Sequence, residues 1–179
     1  MINHQPIHSI REINIIRSSR RKRTISAQLN GGVLSVKAPA GISDGDLEKA
    51  ISRLKKRIIN KKLQKEFNAK EDLKEVAERL NRKYFGGRLR IESIEYSMRQ
   101  NSRFGCCYSK TGKILISHRL AAVPGWVRDY VIVHELGHLV VPNHGPDFQA
   151  LIARYSLKER ATGYLMALGY KDEEPDTGD

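Results

Sequence analysis

The stretch from Trp126 to Val141 constrains this chain more than any other. It contains no proline, and Val127, Tyr130, Val131, Val133, Leu136, Leu139 and Val140 make a helix there apolar nearly all round. Such a helix belongs in a core. Yet the same stretch carries His134, Glu135 and His138, spaced as H-E-x-x-H. Each of these groups loses several kcal/mol on burial unless it finds a partner. A lone core histidine is usually satisfied by backbone or a neighbouring side chain. Backbone or side-chain partners could satisfy His134 and His138 here too, but a zinc ion satisfies all three groups at once, directly or through its water. Histidines four apart point from one face of a helix, one turn above the other, and can grip one zinc ion. Glu135 follows the first of them, within reach of a water on that ion. The pattern implies metal-dependent hydrolysis, with Glu135 as the base and peptide bonds as the expected target. Pro124 suits the first turn of this helix, and Pro142 is expected to end it near Val140.

A catalytic zinc takes three protein ligands and keeps a fourth position open. His144, ten residues after His134 and past the proline stop, is the expected third ligand. The H-E-x-x-H-x5-H spacing is that of the metzincin signature, but Val141 stands where that signature has a turn-forming glycine, so the turn must be built differently. Glu159 and Asp147 are reserve ligands. Asp147 is better suited to accept a hydrogen bond that fixes a histidine tautomer. Tyr155, His118 and Arg119 are candidates by residue type to stabilise an oxyanion. Lys113 to Leu120 reads as a strand with Ile114 and Ile116 on one face, and residues 113–118 are expected to align an extended substrate by strand addition.

Charge is unevenly placed. The chain carries +12 overall, but residues 1–90 hold 22 Lys and Arg against 9 Asp and Glu. Two clusters account for much of this excess: Arg17, Arg20, Arg21, Lys22 and Arg23, and then Arg53, Lys55, Lys56, Arg57, Lys61 and Lys62. A solvated helix face and a basic strand would explain them. An anionic partner (nucleic acid, ribosome or an acidic membrane surface) would explain them too. No aromatics interleave the basic run, so contact with nucleic acid would be to phosphates and steeply salt-sensitive. Cys106 and Cys107 are adjacent, a poor geometry for a disulfide, and read as small packed residues. No apolar run approaches 18 residues, and the first ten residues are too polar for a signal peptide. A cytoplasmic protein that does not insert into membranes is the expectation.

The remaining pattern is α+β. Arg11–Ile16 is a strand candidate. Thr24–Leu29 and Val33–Ala38 alternate around Asn30-Gly31-Gly32, a hairpin turn. Ser43 or Asp44 caps a basic helix to Phe67, with Leu47, Ile51, Leu54 and Ile58 at helical spacing. A second helix over Glu71–Tyr84 stops at Gly86-Gly87, and Leu89–Met98 is a strand. Gly145-Pro146-Asp147 opens a helix through Tyr155 with Phe148, Leu151 and Ile152 inward. One domain is expected over 1–170, divided near residue 90, with an acidic, frayed tail at 171–179.

These residues resemble a known family. Asp129 to Leu139, then Pro142-Asn143-His144-Gly145-Pro146-Asp147-Phe148, are similar to the YgjP-like metallopeptidase domain, which is related in motif to WLM and SprT-like zinc peptidases. Arg20–Ser26 with Val36–Pro39, and Arg103–Cys107 with Ile114–Leu120, resemble further segments of it, so the resemblance covers roughly residues 15 to 150. Phe104-Gly105-Cys106-Cys107 departs from the family's Trp-Gly-Ser-Cys, Ser117-His118 from its Asn-Trp, and Phe148-Gln149 from an aromatic pair. The resemblance implies a zincin-like fold, with a small sheet beside the H-E-x-x-H helix, one zinc ion and peptidase activity. Two alternatives stand beside it: a nucleic-acid-associated protease of the SprT-like kind, and a non-catalytic zincin-fold module that binds nucleic acid or ribosome through its basic half.

Overall fold

The computed structural model describes residues 10–100 and 102–169, so the tail expected over 171–179 lies outside the described residues. The fold is α+β, with two small three-stranded sheets. The chain forms two compact units, one ending at Leu63 and the other beginning at Gln64. Sequence pattern places its internal division at residue 90. The structural boundary falls instead within a continuous helix, where no glycine or proline marks it. No helix among the described residues is long and apolar enough to cross a membrane.

The first unit contains strands β1 (Glu12–Ser18), β2 (Ser26–Asn30) and β3 (Val33–Pro39) and most of helix α1 (Asp44–Lys70). The expected hairpin is present: β2 and β3 pair antiparallel, with Leu29 opposite Leu34 and Ala27 opposite Val36. Its turn residues, Gly31 and Gly32, have φ of 55° and 85°, the left-handed region a two-residue hairpin loop requires. β1 adds to the other side of β3 in parallel, Ile13 opposite Leu34 and Ile15 opposite Val36. Ser43 caps α1: its hydroxyl accepts from the Asp46 amide at 3.2 Å and donates to the Asp46 carboxylate at 2.7 Å. Leu34, Val36, Ala38 and Leu47 form the buried centre of this unit, with Ile51 and Ile58 packed against it.

The second unit contains the end of α1, helix α2 (Leu73–Phe85), strands β4 (Ser93–Ser97), β5 (Gly105–Tyr108) and β6 (Lys113–Ser117), a 3-10 helix (His118–Ala122), and helices α3 (Gly125–Gly137), α4 (Pro146–Ile152) and α5 (Lys158–Ala167). The Asp72 carboxylate caps α2 by accepting from the Lys74 and Glu75 amides at 2.9 and 3.1 Å, and Gly86, at φ 66°, ends it. The sheet order is β4-β6-β5; β4 runs parallel to β6 and β5 antiparallel. The strand expected over Lys113–Leu120 therefore stops at Ser117, whose hydroxyl accepts from the Arg119 amide and starts the 3-10 helix. β6 is the central strand, flanked on both sides, so residues 113–118 offer no edge for a substrate strand.

Helix α3 is buried as expected, with Val127, Tyr130, Val131, Ile132, Val133 and Leu136 all in the core. It lies against α2, α4, α5 and β5. Ion pairs fix its first turns: Arg128 bonds Glu71 and Asp129, and Arg79 bonds Asp129 at 2.7 Å. The Tyr96 hydroxyl, in β4, donates to the same Glu71 at 2.7 Å. Burial first, then Glu71, pushes that phenol's pKa up, so it stays a donor.

Candidate metal centre

Three imidazoles converge at the C-terminal end of α3. The helix ends at Gly137, one turn earlier than the proline stop alone suggests, and His138 is its C-cap. The chain then loosens into a turn in which the Val140 and Val141 amides both bond to the Gly137 carbonyl at 2.9 Å. No non-glycine residue in the described chain has positive φ, and Gly145 is not among the positive-φ glycines. The return of His144 thus needs no left-handed residue, which explains how Val141 can occupy the position of the metzincin glycine.

The Nε2 atoms of His134 and His144 are 3.1 Å apart, and those of His134 and His138 are 3.2 Å apart. Ligand atoms of all three residues lie within 4.8 Å of one another. Two nitrogens on a tetrahedral zinc, each at about 2.0–2.1 Å, stand roughly 3.3 Å apart. The observed spacings match that geometry. His138 Nδ1 lies 3.2 Å from the Val141 carbonyl oxygen; donating there, it leaves Nε2 with its lone pair toward the other two rings. The His134 pKa falls from 6.5 to about 3, first through burial and then through the facing His138 and His144. A neutral imidazole with a free lone pair is the form that binds metal. The donor set and its spacing fit zinc.

Phe148 builds the floor of the site. Fully buried, it stacks on His138 (centroids 4.4 Å apart, planes at 18°) and meets His134 and His144 edge-on at 4.8 and 4.9 Å. Gly137 makes the room for it, since a Cβ there would fall 2.9 Å from Phe148 Cε2. Sequence pattern assigns Phe148 only to the core, because nothing in its spacing shows that the core face of α4 meets the histidines.

Glu135 is 5% exposed and lies against β5. A Cβ on Gly105 would come within 2.2 Å of its Oε1, so the bare backbone of Gly105 forms the wall of the carboxylate's pocket. Gly105, Cys106 and Cys107 line the same cavity as His134, His138 and His144, a space of about 270 Å³ that also takes in Arg103 and Tyr130. Burial, then the Glu135 charge, pushes the Cys107 thiol up to about 12, so it remains neutral beside the carboxylate. Among the described residues the metal-type cluster comprises the histidines alone, without either cysteine.

The other candidates lie elsewhere. Asp147 is exposed in the first turn of α4, and the Val141 carbonyl takes the position by His138 expected of it. Glu159 is exposed and faces Lys158 at 3.9 Å. Tyr155 is buried, and its hydroxyl donates to the Trp126 carbonyl at 2.7 Å. His118 Nδ1 is 3.4 Å from the Ser97 carbonyl oxygen. The Arg119 guanidinium packs over Phe104 and bonds the Leu168 carbonyl. None of these five lines the cavity; Arg103 and Tyr130 do, and sequence pattern offers neither of them for an oxyanion. The residues of the two basic clusters are not among its lining residues. Arg17 bonds Asp44 at 2.6 Å and the Ala40 and Ile42 carbonyls, and so serves the start of α1. Arg21 bonds Thr24. Arg20, Lys22, Arg23, Arg53, Lys56, Arg57, Lys61 and Lys62 are exposed, and Lys55 is half-buried.

No curated protein and no solved structure matches the chain. A family model described as YgjP-like, metallopeptidase domain matches residues 96–158. The match begins in β4, ends at the first residue of α5, and includes Gly105, Glu135 and all three histidines; the basic segments around Arg20 and Val36 lie outside it. Over this segment the chain is similar to the YgjP-like metallopeptidase domain.

Proposed function

We propose that this protein is a zinc-dependent peptidase in which His134, His138 and His144 hold one ion and Glu135 is the general base. The observation that carries this reading is the convergence of three imidazole nitrogens and one buried carboxylate in a single cavity beside a sheet edge. A zinc ion held there would supply Lewis acidity, polarising a carbonyl and lowering the pKa of a water toward ~7. Glu135 takes the proton of the attacking water and passes it to the leaving amine. Its pocket against Gly105 limits the rotamers open to it, so the base is positioned before substrate arrives. Arg103, Ser109 and Tyr130 are lining groups able by type to donate to an oxyanion.

The substrate strand belongs on β5 rather than β6. β5 is an edge strand among the described residues, and its Gly105, Cys106 and Cys107 form one wall of the cavity. An extended peptide added there gains main-chain hydrogen bonds and passes the histidines. The test is metal content and hydrolysis of a fluorogenic peptide pool, measured together. The expected result is one zinc per chain, activity lost on chelation, and a Glu135→Gln variant that keeps its zinc but loses at least about 100-fold in rate. Full activity in that variant, or a wild-type protein that takes up no zinc, refutes the reading.

A further inference from the structure

The first unit carries a surface that the metal centre does not use. β1 pairs with β3 on one side only, so its other edge is open among the described residues. Edge strands of this kind are normally blunted by charge, proline or a bulge. Here the middle of the strand reads Ile13-Asn14-Ile15-Ile16, and its three isoleucines are 38, 44 and 43% exposed. Ile13 and Ile15 share a face and line a groove against α1, together with Leu47 and Ile51. Lys55 and Glu48 stand on its rim, and the Arg17–Asp44 ion pair also borders it.

We propose that this edge and groove bind an extended segment of another protein that alternates apolar and acidic residues, added as a fourth strand beside β1. Strand addition satisfies the open amides and carbonyls of β1, and alternate side chains of the added segment enter the groove. Charge selects the occupant. Residues 1–63 hold 14 Lys and Arg against 4 Asp and Glu, an excess of +10. A second copy of this unit would bring the same excess against itself. Nucleic acid suits the charge but not the apolar groove: residues 1–63 contain no Phe, Tyr or Trp on which bases could stack. A segment with acidic residues between apolar ones satisfies both the isoleucines and the net positive charge of the unit as a whole.

The experiment uses the full chain and a fluorescein-labelled peptide of about ten alternating valines and glutamates, a length that covers the strand. Fluorescence anisotropy should show saturable binding that weakens as salt rises. Ile15→Asp should weaken it by about tenfold or more and Lys55→Glu by a few-fold, with thermal melts reporting that both variants remain folded. Glu135→Gln should leave it unchanged, which separates this surface from the metal centre. No saturable binding, equal binding of a valine–lysine peptide, or Ile15→Asp acting only on oligothymidylate binding or on self-association would each overturn the proposal.

Discussion

Gly105→Ala is the most demanding test of how the centre is held together. An alanine Cβ at this position would lie 2.2 Å from Glu135 Oε1, 2.6 Å from Cδ and 2.7 Å from Cγ. Relief therefore requires a movement of about 1 Å by one partner. Gly105 is not among the positive-φ glycines, so the backbone itself accepts alanine and the clash acts alone. β5 cannot yield freely, because Gly105 is paired opposite Ile116 in the sheet. The carboxylate must move instead. Overpacking of this kind costs about 1–3 kcal/mol. Displacing a catalytic group by about 1 Å costs roughly 100-fold in rate. His134, His138 and His144 are untouched, so zinc content should stay at the wild-type level. Urea unfolding, metal analysis and initial rates on one preparation read all three quantities. Gly163→Ala is the control: it sits in α5 with nothing within 4 Å of the added Cβ, and should stabilise the protein by about 0.5–1 kcal/mol without changing the rate. Wild-type activity in Gly105→Ala would refute the claim that Gly105 positions Glu135.

Two further predictions concern stability. In the metal-free protein the folded-state pKa of His134 lies below its unfolded value of 6.5, so its contribution is present above pH 6.5 and is lost as pH falls from there toward about 3. Between pH 7.5 and 5.5 this histidine alone should lower stability by about 1.4 kcal/mol, seen as a lower urea midpoint; a midpoint that rises over that window contradicts the assignment. Asn81→Ala should cost about 2–3 kcal/mol, because the buried Asn81 amide donates to the Leu89 carbonyl at 2.9 Å and accepts from the Leu89 amide at 3.3 Å; a loss under about 0.5 kcal/mol in urea unfolding would show that water replaces it.

What could be read from the sequence was local. The H-E-x-x-H helix, the glycine hairpin, the Ser43 cap and the Gly86 stop each depend on a few neighbouring residues, and each is found where those residues place it. Strand order is different. Alternation marks Lys113–Ser117 as a strand but cannot tell a central strand from an edge, because that depends on which distant segments pair with it. The parallel pairings of β1 with β3 and β4 with β6 are of the same kind. Sequence pattern therefore points a substrate strand to β6, whereas β5 is the one at the edge. The roles of Phe148 and Gly105 were hidden for a related reason: both arise where one element lies against another. The end of α3 falls one turn before the position that Pro142 suggests, since the proline forbids continuation without saying how early the helix must yield for His144 to return.

The departures from the family pattern divide by position, and that division predicts their effects. Ser117 and His118 lie outside the cavity lining: the Ser117 hydroxyl donates to the Gln100 carbonyl at 2.9 Å, and His118 approaches the Ser97 carbonyl. Phe104 and Cys106 line the cavity. Cys106 is half-buried on the β5 edge, where an added substrate strand would lie. Cys106→Ser introduces the residue that the resembled family carries there and exchanges a weakly polar thiol for a hydroxyl on that wall. Changes of this size in a binding pocket alter discrimination by about 10-fold upward. The relative kcat/KM values for peptides differing in one side chain should shift by about that factor, with zinc content and melting temperature unchanged. His118→Trp should move the melting temperature and leave the ranking of substrates as it was. A ranking that follows residue 118 and ignores residue 106 would mean that substrate does not lie along β5.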